Sequence, residues 1–397
     1  MHAIPDAAAS ATMAARHPVL ARPPAPAAAN RPLDGWHPTR RPHQLDETLT
    51  AAAGPFGPPH PSSSAHPLRA DWVQALPQLQ GFGPIEWRSF HGPLTWRCRT
   101  DGVPLRAQGH AWQIDRPDVG LSLSLRPDAC QRAFAVREAG AEGWSRSLRC
   151  YDPHGRELLR VVLQAGADVA AYARLVEQHA APDRPTTMPD HLRPGHGRGS
   201  KRPTRPQPSQ QLPWPDVAAH LRGRWLALRD PAQWPELLPS FHLTLEQALR
   251  LAGPDLALPL EPGALQELLQ RAAQSGLALR LAARHAGLEW HRQGPWVGVV
   301  PAGAGLLAHT PDLQLHLDEP GIGSVWRVRR PGQQGLRSTL EVLHPDGHLL
   351  LSISDATPGI GRAERCEWRN LLAQVASDDT RSCLHPGIRW ATAGRPQ

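Results

Sequence analysis

Residues Val136–Gly155 read "VREAGAEGWSRSLRCYDPHG", and Val328–Gly347 read "VRRPGQQGLRSTLEVLHPDG". Laid over each other without a gap, the two share Val, Arg, Gly, Gly, Leu, Pro and Gly in the same places, at an offset of 192 residues. Both continue as strand, turn and strand, in "SRSLRCYDPHGRELLRVVL" and "RSTLEVLHPDGHLLLSI". Their P-H-G and P-D-G corners supply the tight turn that closes an antiparallel hairpin.

The likeness extends outward on both sides. "HGPLTW" (His91–Trp96) matches "HAGLEW" (His285–Trp290) at an offset of 194. The same offset pairs Pro117 with Pro311 and Leu123 with Leu317, after which a two-residue deletion restores 192 through Phe134 and Trp326. Each copy then closes on a helical segment, "AAYARLVEQ" or "CEWRNLLAQ". Order and spacing persist over some ninety residues, so the chain carries an internal duplication. "GLSLSLR" and "DLQLHLD" alternate apolar and polar residues with period two, as a strand with one buried face does. The second copy is preceded by helices. Thr244 and Gln247 form a capping-box pair before a stop at Gly253, and Leu265, Leu268, Leu269 and Ala272 make one stripe ending at Gly276. The expected fold is α+β: two tandem similar units related by a pseudo-two-fold, each an antiparallel sheet with flanking helices.

Composition divides the 397 residues further, since 44 Pro and 34 Gly accompany 40% hydrophobic residues. Folded cores separated by disordered connectors fit that mixture. The expected organisation is a disordered Ala/Pro-rich extension (1–66), a first repeat (67–181), a basic Pro/Gly-rich linker (182–213), a second repeat (214–376) and a tail (377–397). Six Lys/Arg against Asp190 between Arg184 and Pro206 account for most of the net charge of +7, which leaves the folded parts near neutral and argues against a dedicated nucleic-acid site. Five cysteines without a C-x-x-C pair encode neither a disulfide framework nor a zinc site, and reduced thiols in the cytoplasm are the simplest expectation. No apolar run is long enough to span a bilayer, and the N-terminus lacks the pattern of a secretory signal. "HGRGSK" has no phosphate-loop spacing, and neither G-x-S-x-G nor H-E-x-x-H occurs.

The duplicated hairpin, "GHA" at Gly109–Ala111 and the W-x-x-L-x-D stretch from Trp225 to Asp230 resemble the HmuS/ChuS-type haemin-utilisation proteins. That resemblance covers both repeats but neither the extension nor the linker. It implies a cytoplasmic protein with haem as ligand or substrate, which receives haem after import and passes it on or opens the ring to release iron. A haem importer or a haem oxygenase would be its partner. A diverged member that no longer binds haem tightly, and serves interaction or regulation, is the alternative.

The family's ligating His lies early in a helix just after an Asp; here Asp230 matches and the ligand position falls on Ala232, which cannot coordinate iron. This weakens the case for ring opening. The family's distal Arg corresponds to Ser124, with Arg126 two residues on and on the same strand face, able to substitute towards the propionates. His242 becomes a ligand if its loop folds inward, and is otherwise a solvent-facing residue before the Thr244 cap. His316 sits opposite buried leucines and reads as a surface residue. His91 and His285, equivalent in the two copies, read as structural, and His196 lies in the linker.

Overall fold

The computed structural model describes residues 64–102, 105–140, 143–182, 214–229, 233–261, 263–332, 335–356 and 364–382. The extension before Ser64, the linker over 183–213 and the tail after 382 lie outside them, as do Asp230 and Ala232. The first strand already begins at Ser64, inside the stretch read from sequence as free of regular structure.

Eighteen strands form two antiparallel sheets of nine. The first sheet takes β1 (Ser64–Leu68), β2 (Pro84–His91), β3 (Leu94–Asp101), β7 (Arg132–Gly140), β8 (Gly143–Tyr151) and β9 (Glu157–Leu163) from the first copy. The second sheet takes β10 (Ala257–Leu260), β11 (Leu279–His285), β12 (Leu288–Gly294), β16 (Ser324–Gly332), β17 (Gly335–Leu343) and β18 (Leu349–Asp355) from the second copy. The remaining strands cross over. β4 (Leu105–Gln108), β5 (Ala111–Arg116) and β6 (Leu121–Leu125) join the second sheet where β6 pairs with β12. Reciprocally, β13 (Gly298–Ala302), β14 (Gly305–His309) and β15 (Leu313–Asp318) join the first where β15 pairs with β3. The strand orders, 1-7-8-9-2-3-15-14-13 and 10-16-17-18-11-12-6-5-4, match position for position. The α+β duplication expected from sequence is therefore present, but each sheet is completed by three strands of the other copy.

Residues on a two-fold axis touch their own equivalents. The Trp96 and Trp290 rings lie 5.8 Å apart, and His91 stacks on His285 at 4.3 Å. Register also corrects one sequence pairing. Leu123 faces Trp290 as Leu315, not Leu317, faces Trp96. The two additional residues, Val119 and Gly120, belong to the β5–β6 turn, where Gly120 has φ 66° and a Cβ would sit 1.9 Å from the Gln293 carbonyl oxygen.

Six α-helices accompany the sheets among the described residues, beside a 3-10 helical stretch over Ala70–Phe82: α1 (Val169–His179), α2 (Trp214–Leu226), α3 (Trp234–Ser240), α4 (Leu245–Ala252), α5 (Gly263–Ser275) and α6 (Cys366–Ser382). The capping box at Thr244 forms, with Gln247 N donating to Thr244 Oγ1 at 3.2 Å and Thr244 N to Gln247 Oε1 at 2.9 Å. Helix α5 buries Leu265, Leu268, Leu269 and Ala272 in the core shared by both sheets. A second cluster packs α2, α3 and α4 on the opposite face of the second sheet through Leu221, Trp225, Leu237 and Leu249 against Trp326 and Val328.

One expectation from composition fails. Cys130 and Cys150 form a disulfide, with Cα atoms 5.6 Å apart. They are 20 residues apart in sequence, and the β7–β8 hairpin sets Cys150 opposite Ala133, beside Cys130. No helix among the described residues is long and apolar enough to cross a membrane.

Candidate functional site

Residues paired across a sheet share a face, so the register defines the surface available to a ligand. On the second sheet one cross-strand row runs Trp326, Glu341, Ser352, Ala282, His291 and Ser122. Trp326 is buried at the end held by α2–α4. Beyond it, Ser352, Ala282, His291 and Ser122 are half-buried. These small, partly exposed side chains leave this part of the floor less covered than the Trp326 end. At about 4.8 Å between strands, the four steps from Trp326 to His291 span roughly 19 Å.

The helical wall is tied down beside this floor. Trp225 Nε1 donates to the Arg329 carbonyl at 2.9 Å, and the Arg330 guanidinium lies 4.1 Å from the centre of the Trp234 ring. Arg330 also pairs with buried Glu341, which has one carboxylate oxygen without a hydrogen-bond partner. His291 is held below the usual imidazole range, first by burial and then by Arg280. It is thus a neutral imidazole on the open part of the floor.

The corresponding row of the first sheet has other chemistry. Phe134 is followed by Arg149, Arg160, Arg88 and Arg97 on four consecutive strands, then Gln314. Glu138, Glu157 and Glu86 balance part of that charge, with Arg160 Nε 2.6 Å from Glu157. Burial and neighbouring Arg88 push the Arg97 guanidinium down to about 10. In the second sheet the corresponding stretch, from Ser352 to Ser122, is small and carries an imidazole in place of the arginines.

Of the residues singled out by sequence, Ala232 lies outside the described residues, although α3 starts two positions later. Arg126 follows β6 and donates twice to Asp128, at 3.0 and 2.7 Å, with 60% of its side chain exposed. Ser124, on the floor side of β6, faces Glu289 and Gln113. His242 is exposed in the turn between α3 and α4, at φ 53°, a left-handed conformation that is uncommon for residues other than glycine. His316 faces Thr95 across β15–β3, away from Leu315 and Leu317. His91 and His285 meet at the pseudo-two-fold.

His291 escapes a sequence reading because it sits in "LEWHRQ" without a motif, and only the β12–β6 register puts it on the floor. Alternation within β12 separates it from buried Trp290 and Arg292, a signal that was present but did not identify which sheet face mattered.

The description "Haemin-degrading HemS.ChuX domain" fits residues 101–179 and 242–375, more than half of the chain. The chain belongs to this family. Among relatives, "Hemin transport protein HmuS" of Yersinia pestis is 27% identical over 68% of this chain and 74% of its own length. "Hemin transport protein HemS" of Yersinia enterocolitica is 25% identical over 80% of this chain and 88% of its own. The crystal structure of holo-PhuS, a heme-binding protein from Pseudomonas aeruginosa, superposes with a TM-score of 0.64 at 28% identity, covering 78% of this chain and 86% of that one. The Escherichia coli O157:H7 heme-degrading enzyme ChuS shares the fold, with a TM-score of 0.65 at 22% identity over 85% of this chain and 94% of its own.

Proposed function

We propose that this protein binds haem on the floor of the second sheet beside α2–α4, and carries it within the cytoplasm between an importer and a haem-degrading enzyme. The observation that carries this reading is the row Ser352–Ala282–His291–Ser122, small and half-buried next to a helical wall, in a chain of the HemS/ChuX family. A flat apolar macrocycle gains from burial against such a surface, while its iron seeks an imidazole and its propionates seek cations. Ala232 removes the imidazole that the family resemblance implies. His291 on the floor, and His242 and His220 on its helical wall, are candidate imidazoles. Arg126 can serve a propionate only by leaving Asp128.

Haemin titration followed at the Soret band tests this reading. The expected result is saturable one-to-one binding with a spectrum weaker in imidazole character than an ordinary His-ligated haem. Ala232→His should tighten binding at least tenfold and shift the band towards that of a His-ligated haem. If His291 supplies the ligand, His291→Ala removes the imidazole signature and His242→Ala does not; the reverse pattern assigns His242. No saturable binding, even in Ala232→His, would overturn haem carriage in favour of the second reading, a member of the family kept for interaction or regulation. Arg126 engaged with Asp128 and Ala at position 232 favour that second reading.

A further inference from the structure

The turn between β17 and β18 carries ligating groups on three alternate residues, His344, Asp346 and His348. Their ligating atoms lie within 4.8 Å of one another. His344 Nδ1 is 2.9 Å from Asp346 Oδ1, and His348 Nδ1 contacts the same oxygen. The two rings stack at 4.6 Å and 22°. His344 Nδ1 also accepts the Asp346 backbone N–H at 3.3 Å, so its lone pair belongs to the edge that meets the carboxylate. In a neutral imidazole one nitrogen cannot both accept that N–H and donate to Asp346. Two lone-pair atoms this close need a proton or a cation between them.

Turn formation does not account for these three residues. The duplicated turn in the first copy has Asp152, His154 and Arg156 at the equivalent positions. Its backbone bonds are nevertheless the same. Asp152 N donates to Arg156 O at 2.9 Å and Gly155 N to Asp152 O at 3.0 Å, while His344 N donates to His348 O at 2.9 Å and Gly347 N to His344 O at 2.8 Å. The hairpin closes equally well with either set, so the His–Asp–His set is a feature of one copy alone.

A further imidazole lies beside it. His91, from the end of β2 in the other sheet, has its ring 5.4 Å from that of His348 and stacks on His285. It is only 4% exposed, and its Nδ1 has no hydrogen-bond partner. Gly92, which follows it, lies against the His344 ring, where a Cβ would stand 3.7 Å from Cδ2. The β2–β3 turn of one sheet and the β17–β18 turn of the other therefore meet at this cluster.

The geometry points to a binding site for a divalent transition-metal ion at His344, Asp346 and His348, at the junction of the two sheets. Two imidazoles and one carboxylate suit Zn2+, Ni2+ or Cu2+, whereas Ca2+ and Mg2+ prefer all-oxygen sets. An ion bound there fixes the turn against its neighbour and stabilises the folded chain by mass action. This site is separate from the haem floor and does not depend on haem binding.

The test uses haem-free, chelator-treated full-length protein and Zn2+ alone, with calorimetric titration and thermal unfolding as readouts. The reference is the double variant His344→Asp with His348→Arg, which gives the second turn the flanking residues of the first. Wild type should take up one equivalent of Zn2+ more than the variant, with a Kd of micromolar or below. Zn2+ should also raise its unfolding midpoint, and the variant should lose most of that rise. Asp346→Asn, which keeps the size of the side chain, should weaken the same equivalent at least tenfold and serves as the reference if the double variant misfolds. Equal Zn2+ uptake and equal thermal shifts in wild type and variants would overturn the site, assigning the 2.9 Å contact to a proton and any bound Zn2+ to other histidines.

Discussion

At the scale of the residue, burial decides which side chains stay neutral. The His91 imidazole is held down to about 3, first by burial and then by the adjoining His285, His348 and His344, against the opposing pull of Asp346. In the unfolded chain it titrates near 6.5. Its contribution is complete above that pH. As pH falls from about 6.5 towards 3, the unfolded chain takes a proton that the folded chain refuses, so stability declines by up to about 1.4 kcal/mol per pH unit. Urea unfolding with chelator present should show this decline between pH 7.5 and 5.5, and His91→Phe should flatten it by about 1 kcal/mol. Parallel curves for the two proteins would remove His91 as the cause. Burial likewise pushes the Cys98 thiol up to about 12, while Cys366 is exposed. Because the thiolate is the reactive form, alkylation of the native protein should label Cys366 and reach Cys98 only after unfolding, as peptide mapping would show.

At the scale of the element, local chemistry makes much of the fold legible. Thr244, Gln247 and Gly253 delimit α4 because each acts on backbone within a turn of itself. Thr244→Ala should cost about 1 kcal/mol in chemical denaturation, the loss of one satisfied helix-end donor. Gly155 and Gly347 hold their turns at φ 78° and 88°, so the P-x-G corners were sufficient to locate two hairpins. What depends on distant pairing was not legible. The crossing of β4–β6 and β13–β15 leaves no mark on their own alternation, since such a strand looks the same whichever neighbour it joins. The Cys130–Cys150 bond follows the β7–β8 register rather than any cysteine spacing. For the candidate site, Arg126 and His242 stand near the family positions that Ser124 and Ala232 fail to match, but His291 needed the β6–β12 pairing and His344 looked like an ordinary turn residue.

At the scale of the whole molecule, duplication has produced two like frameworks with unlike faces, one lined by arginines and one by small residues with an imidazole. The exchange of strands also governs how the copies can be parted. If residues 64–182 were expressed alone, β3 would lose β15 and its neighbours, and β6 would lose β12. Leu94, Trp96, Leu121, Leu123 and Leu125, all buried in the shared core, would then face solvent. The matching fragment 214–382 would expose Trp290, Leu313, Leu315 and Leu317 in the same way. Fully burying one such side chain is worth about 1.5–3 kcal/mol, so the combined loss exceeds what a single marginally stable fragment can absorb. Each fragment should therefore be poorly folded or aggregated on its own, and the two should recover a stable heterodimer when co-expressed. Cleavage within 183–213, between the two copies, should likewise leave two pieces that co-elute until denaturant is added. Independent folding of 64–182 into a stable monomer, with near-UV dichroism and cooperative unfolding of its own, would show that the exchanged strands are not needed to complete its sheet.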